Sequence, residues 1–208
     1  ISALIKSYTT KYDLLLDSEL LTSIRRMQDR VKSEKTEQSV LNSLVDETMK
    51  LLNWDVLTVT MYSEQLKGWA LQKVSNRSFT LYPTVNDIIA FDNSIVGRTI
   101  KNNALLHLND FEIEPETRFF ADESIAMKGS FLSVPMSSLN RCYGALTLES
   151  DKKYQWSPTE AEVVYRLVEN AAGLLEVLYM NDAMKDFISS DQSSGALNRK
   201  HFGMKLDD

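Results

Sequence analysis

Apolar positions in the first 31 residues recur three and four apart, at Leu20, Ile24, Met27 and Val31, on a polar background. That spacing predicts a helix with one apolar stripe. A single stripe reads as a seam for a partner more than as a core of its own. Residues 32–37 (KSEKTE) are charged and polar. A second helix is predicted to about Asn53, with Val40, Leu41, Leu44, Val45, Met49 and Leu52 on one face. No Pro or Gly separates the two helices, so their continuity stays open.

The period then changes to two. Leu57, Val59 and Met61 alternate with Thr58, Thr60 and Tyr62, which predicts a strand with one face in the core. Lys67-Gly68 makes a turn, and residues 69–74 return as the hairpin partner. Residues 79–91 form a less regular connection containing Pro83. A short helix is predicted around 94–102, carrying Gly97, and a short strand over 104–108. Residues 110–128 show no period and read as a loop with a helical turn. A second hairpin follows, 131–136 with 143–149, and Pro135 inside it points to an edge or a bulge. Ser157, Pro158 and Glu160 supply a helix start. The helix they open can run over 158–189, roughly 48 Å at 1.5 Å per residue. Along it Val164, Val168, Ala171, Leu175, Leu178 and Asp182 trace a heptad seam, apolar until its last member. A helix this long outruns a small sheet, so its second half is expected to pair with its own copy in a homodimer. Leu20, Ile24 and Met27 join it as seam candidates.

Composition narrows the function classes. The 208 residues suit one buried domain with helical extensions. A formal net charge of −6 argues against nucleic acid, whose phosphate backbone needs a basic face. No apolar run is long enough to span a bilayer and no signal peptide is visible, so no membrane contact and a cytoplasmic location are expected. The single Cys142 excludes an intrachain disulfide and a Cys-cluster zinc site. Because the chain opens on Ile1 rather than Met, it is expected to be a piece of a longer protein.

The order helix, hairpin, crossover, short strand, loop, hairpin, long helix resembles a GAF domain over about residues 33–189, with residues 1–32 as a helical extension. The residues that carry the likeness are Ser94-Ile95-Val96-Gly97-Arg98-Thr99-Ile100, then Leu105-Leu106-His107-Leu108-Asn109-Asp110. Downstream come Ser133-Val134-Pro135-Met136, Gly144-Ala145-Leu146-Thr147-Leu148 and Trp156-Ser157-Pro158-Thr159-Glu160. The resemblance implies an α+β fold: an antiparallel sheet with helices on one face, long flanking helices, and a ligand cavity under loops on the other face. Such domains serve as small-molecule sensors, photoreceptors or dimerisation platforms, and fold alone does not choose among them.

Several side chains are candidates for a site within this frame. Bilin-binding relatives attach their chromophore through a Cys, usually beside a His, before the last hairpin; residues 112–128 hold neither, and Cys142 reads as a packing residue. His107 lies in a short strand whose pleat could aim it at the pocket, yet no HxxE or HxH spacing surrounds it, so it reads as a hydrogen-bonded strand histidine and neither haem nor any other metal is assigned. Arg98 could grip an anion bidentately, or simply face solvent. Tyr62, Trp69, Phe91, Phe119, Phe120 and Met127 could line an apolar cavity, and would serve equally well as ordinary core. One cysteine cannot run the cycle of the free-methionine sulfoxide reductases, which resolve their chemistry through several.

The run 191–202 (DQSSGALNRKHF) resembles the opening of GGDEF domains, the diguanylate cyclases, which begin Asp-x-Leu-Thr-Gly-Leu-x-Asn-Arg-Arg-x-Phe. Asp191, Gly195, Asn198, Arg199 and Phe202 match, Ser194 and Lys200 are conservative, and Ser193 and Ala196 lose apolar bulk. The resemblance gives Asn198, and Asp207 nine positions on, contacts to the guanine base of GTP. The phosphoryl-transfer apparatus is expected beyond Asp208, so residues 190–208 count as the start of that domain and no catalytic residue is assigned. The expected function is a regulatory module that senses an unidentified small-molecule effector and controls cyclic di-GMP synthesis through dimer geometry. Alternatives are a ligand-free scaffold that only dimerises, or a regulator of a degenerate GGDEF domain that binds the dinucleotide without making it.

Overall fold

The computed structural model describes residues 2–77, 83–113, 117–121, 123, 128–139 and 141–189. Helices α1 (Ser2–Glu34) and α2 (Glu37–Leu51) come first. The break between them is made without Pro or Gly. Lys35 takes a left-handed φ of 52°, and the Thr36 hydroxyl caps α2 by accepting from the Ser39 N–H at 3.1 Å.

Strands β1 (Val56–Ser63), β2 (Gly68–Asn76), β3 (Leu106–Leu108), β4 (Ser130–Ser138) and β5 (Arg141–Ser150) form one antiparallel sheet in the order β2-β1-β5-β4-β3. Helix α3 (Ile95–Asn102) crosses one face over β4 and β5, and α4 (Pro158–Ser189) packs on the other. The expected α+β architecture with flanking helices is the one observed. Pro135 pairs with Ala145 of β5, while β3 reaches only as far as Ser133, so the missing N–H falls on a locally free edge. A bulge follows between Met136 and Ser137. It turns Tyr143 toward α4, 5.6 Å from the Tyr179 ring, and leaves Cys142 against the opposite face.

The start of α4 is a reciprocal cap. The Glu160 N–H donates to the Ser157 hydroxyl at 3.2 Å, and the Ser157 N–H donates to the Glu160 carboxylate at 2.8 Å. Just before it, the buried Trp156 indole donates to the Asn53 carbonyl at 3.0 Å, joining the end of α2 to the start of α4.

The expected partner seam is corrected by the packing. Leu20 and Met27 of α1, and Val164, Val168, Ala171 and Leu175 of α4, are all fully buried inside this chain, and Ile24 and Leu178 pack at the margin of the same core. Helix α1 folds back beside α2 and α4, where ion pairs fix it: Arg26 with Glu47, Arg30 with Asp46 and Asp17 with Arg166, each at 2.8 Å. A stripe predicts that something covers it, not whose chain does the covering. Here it is the chain's own three-helix layer.

A different heptad line on α4 faces outward. Arg166, Asn170, Gly173, Val177, Met180, Met184 and Phe187 follow one another four and three apart, and the last four are each more than half exposed. A Cβ placed on Gly173 would meet nothing within 4 Å, so its smallness serves no packing inside the chain. Among the described residues no helix is long and apolar enough to cross a membrane.

Candidate functional site

The two faces of the sheet differ in chemistry. Toward α4 point Leu57, Val59, Met61, Leu132, Val134, Met136, Leu146 and Leu148, an unbroken apolar layer. The alternate residues point toward α3, and many are polar: Thr58 and Thr60 on β1, Ser133 on β4, Thr147 and Glu149 on β5, all buried. β1 is therefore buried on both faces, where one core face had been expected. The Thr58 and Thr147 hydroxyls hydrogen-bond each other. The hydroxyls of Thr60, Ser133 and the inward-facing Thr99 of α3 have no partner among the described residues. Buried hydroxyls in that state are costly unless water or a ligand meets them.

A short segment closes this face. Carbonyls of 117–119 accept from the start of α3 and its approach: Thr117 from the Ile95 N–H at 2.8 Å, Arg118 from Val96 at 3.3 Å, Phe119 from Ala90 at 2.7 Å. The Ser94 hydroxyl accepts from Gly97 N–H at 3.1 Å. The free donors of the α3 N-terminus are thereby used within the chain, which removes it as an anion site.

Buried charges hold the segment from the other side. The Glu123 carboxylate accepts from the N–H groups of Arg118 (3.0 Å), Phe119 (2.5 Å) and Phe120 (2.9 Å). The Arg118 guanidinium donates to Glu123 at 3.3 Å and to Glu149 of β5 at 2.5 Å. Burial pushes the Glu149 carboxyl up to about 7, against the opposing pull of Arg118.

The candidate residues separate into three groups. Tyr62, Trp69 and Phe91 stack in a line along the sheet edge, Tyr62 edge-on to Trp69 at 5.7 Å and Trp69 parallel to Phe91 at 5.5 Å. Phe91 and Arg98 both border a groove of about 460 Å³ with Ser94, Lys101 and Thr117, in which Arg98 is exposed. Phe119 is fully buried between Phe111 (through Phe131) and Phe120, its ring 5.9 Å from both Phe131 and Phe120. It fills the interior instead of lining an opening.

His107 is a correction. The β3 pleat sends Leu106 and Leu108 toward α3 and turns His107 the other way, 6.4 Å from the Trp156 ring. Burial lowers its pKa. Cys142 is half-buried, its thiol donates to the Gly144 carbonyl at 3.3 Å, and burial pushes its pKa up, the reverse of an activated thiolate. No group of three or more His, Cys, Asp or Glu among the described residues could hold a metal ion. Met127, Asn198 and Asp207 lie outside the described residues.

Thr58, Thr60, Ser133, Thr147, Arg118, Glu123 and Glu149 were not among the sequence candidates. The strand members alternate with apolar residues, which looks like a solvent face unless one knows that α3 covers it. Arg118 and Glu123 sit in a stretch with no period at all.

The GAF domain family model matches residues 36–175. Among solved structures, the chain is similar to the free methionine-R-sulfoxide reductase of Neisseria meningitidis in complex with its substrate, at 17% identity, covering 82% of this chain and 93% of that one, with a TM-score of 0.63. It is also similar to the GAF domain of an Acinetobacter phosphoenolpyruvate-protein phosphotransferase, at 17% identity over 77% and 94%, TM-score 0.59. A third likeness is to the GAF domain of a two-component sensor histidine kinase from Bacillus halodurans, at 16% identity over 70% and 97%, TM-score 0.57. At these identities the likeness shows the fold alone. No curated protein matches the chain in sequence.

Proposed function

The chain belongs to the GAF domain family, and from that premise we propose that it is the regulatory, small-molecule-sensing and dimerising unit of a cytoplasmic bacterial diguanylate cyclase. The observation that carries sensing is the polar interior beneath α3. An interior evolved only for packing would repeat the apolar layer on the α4 side, whereas this one buries hydroxyls of Thr60, Thr99 and Ser133 that no described residue satisfies. The effector is therefore a small polar molecule, entering beside the Tyr62–Trp69–Phe91 stack and the Arg98 groove. The rival reading, a ligand-free scaffold, draws support from the filled Phe111–Phe119–Phe131 cluster. Native mass spectrometry of freshly purified protein separates them. The sensor reading expects a bound small molecule that is lost from a Thr60→Val/Ser133→Ala variant; a bare protein that no metabolite in a panel stabilises against heat would leave the scaffold.

The cyclase reading rests on the resemblance of residues 191–202 to a GGDEF opening, which follows directly on α4. Two cyclase domains must face each other to join two GTP molecules, so α4 would transmit the effector signal as a change in dimer packing. The second copy is assigned to the outward line of α4 from Gly173 to Phe187, replacing the seam that the core absorbs. A groove of about 650 Å³ between the end of α1 and α4, bordered by Val31, Leu174 and Val177, continues that surface. Asn170 fits this placement: its buried side-chain carbonyl has no partner among the described residues, and a polar group on such a line fixes register.

Val177→Glu with Met184→Glu is expected to weaken the dimer at least about a hundredfold by light scattering, since charges enter an apolar seam. Both positions are exposed, so the fold should survive. A monomer before substitution, or a dimer unmoved by it, sinks the dimer assignment. In the full-length protein the same pair should abolish cyclic di-GMP formation from GTP.

A further inference from the structure

We infer that the effector of the α3 face is a small cationic amine, its ammonium held by Glu149 and an uncharged polar group of it by Ser133. The inference rests on the sensing reading and narrows it to one class of ligand.

The first observation is a buried acceptor that lacks a donor. Glu149 is nine-tenths buried, and one of its carboxylate oxygens accepts from Arg118 at 2.5 Å. The other oxygen is buried with no partner among the described residues. An ionised carboxylate only accepts, so the group that completes it is a donor. An ammonium supplies three N–H donors together with the opposite charge.

The sheet register sets a second unsatisfied group nearby. Phe131 of β4 pairs with Glu149 of β5, and Ser133 with Thr147, so Ser133 stands diagonally across from Glu149 on the same face. Diagonal neighbours of this kind lie about 7–8 Å apart. The Ser133 hydroxyl is fully buried and has no partner among the described residues. A hydroxyl both donates and accepts, so it suits an alcohol or an amide and asks for no charge.

The surrounding charge selects against an anion. The chain between β3 and β4 carries six acidic residues over 110–128, against Arg118 and Lys128. Arg118 pairs with Glu123 and Glu149, and Lys128 with Asp151. Lys153, in the turn after β5, pairs with Asp110 and Glu112. On α3, Arg98 and Lys101 are exposed, whereas Thr99 between them is buried toward the sheet. An anion therefore approaches against the local potential, and a cation with it. The rings of Tyr62, Trp69 and Phe91 at the edge of this face act in the same sense, because aromatic faces attract cations.

The probe is 5-amino-1-pentanol, whose nitrogen and oxygen stand about 7 Å apart when extended, the spacing of diagonal sheet neighbours. 1,5-Pentanediol and 6-hydroxyhexanoate keep the hydroxyl and the chain but replace the ammonium by a hydroxyl or a carboxylate. In titrations of the whole chain at pH 7.5, the amine is expected to bind at least about tenfold more tightly than either. Glu149→Gln should remove that preference, while Ser133→Ala should weaken the amine and the diol alike. Equal binding of amine and diol, tighter binding of the acid, or an unchanged preference in Glu149→Gln overturns the inference. So does an absence of binding by all three. If Glu149→Gln does not fold, NMR of the unsubstituted protein decides. The amine must then shift the Ser133, Thr147 and Glu149 signals, and shifts confined to exposed acidic residues overturn the site. Tighter binding of the diol or the acid on this face would leave the sensing reading standing, since native mass spectrometry tests that reading without reference to charge.

Discussion

Gly144→Ala is expected to destabilise the domain by about 3 kcal/mol or more, a loss beyond that of most single substitutions. Gly144 lies in β5 opposite Met61, and a Cβ there would stand 1.9 Å from the Thr60 carbonyl oxygen. The obstacle is backbone of the neighbouring central strand, which cannot yield without parting β1 from β5. Gly97→Ala should behave alike, its Cβ meeting the Phe91 carbonyl oxygen at 1.8 Å where α3 packs on the turn Phe91–Asn93. Gly173→Ala supplies the opposite sign: with open space around it, alanine should gain about 0.5–1 kcal/mol of helix propensity in the monomer. Urea denaturation of the three variants tests the set. A Gly144→Ala protein within about 0.5 kcal/mol of the parent would show that the two strands are not held so close.

What was legible in the chain follows from what each signal encodes. The period-two runs located both hairpins, and the cap at Ser157 located the start of α4, because both depend on neighbours a few residues apart. The same locality explains the misassigned seam. Val164, Val168, Ala171 and Leu175 announce a covered stripe, but α1, more than a hundred residues away, covers it together with α2 and the sheet. α4 in truth carries two heptad lines, one turned inward and one outward, and periodicity cannot say which is which. His107 failed for a related reason, since a three-residue strand has a pleat whose phase is set only by pairing with Leu132. The buried charge cluster left no local trace, because Arg118 and Glu149 are joined by the fold and not by any spacing. The aromatic candidates were found in type but not in role: Trp69 and Phe91 form a partly open stack, whereas Phe119 is interior.

Arg118→Met should cost about 3–5 kcal/mol at pH 8, the range for breaking a buried ion pair by removing one partner. Methionine fills much of the volume over the Phe111 ring, where the guanidinium now sits 6.0 Å away, so the loss is electrostatic more than steric. Glu149 is then left nine-tenths buried with no cation, close to Glu123 and Asp151. A carboxylate so placed raises its pKa and takes up a proton, so the variant's Glu149 must titrate above the parent's value of about 7. The sign is then fixed. A carboxyl whose folded pKa exceeds its unfolded value loses stability as pH rises between the two, so the variant should fall further behind the parent from pH 5.5 to pH 8, its deficit growing by about 1.4 kcal/mol at most because the parent's own Glu149 titrates at about 7. Adding Glu149→Gln to Arg118→Met removes the stranded charge, and the double variant should recover most of the deficit at pH 8 while Glu123 keeps its three N–H donors. Urea midpoints at the two pH values measure all of this, and a deficit that is equal at pH 5.5 and pH 8 would mean that Arg118 stabilises the domain by packing, with its charge contributing nothing.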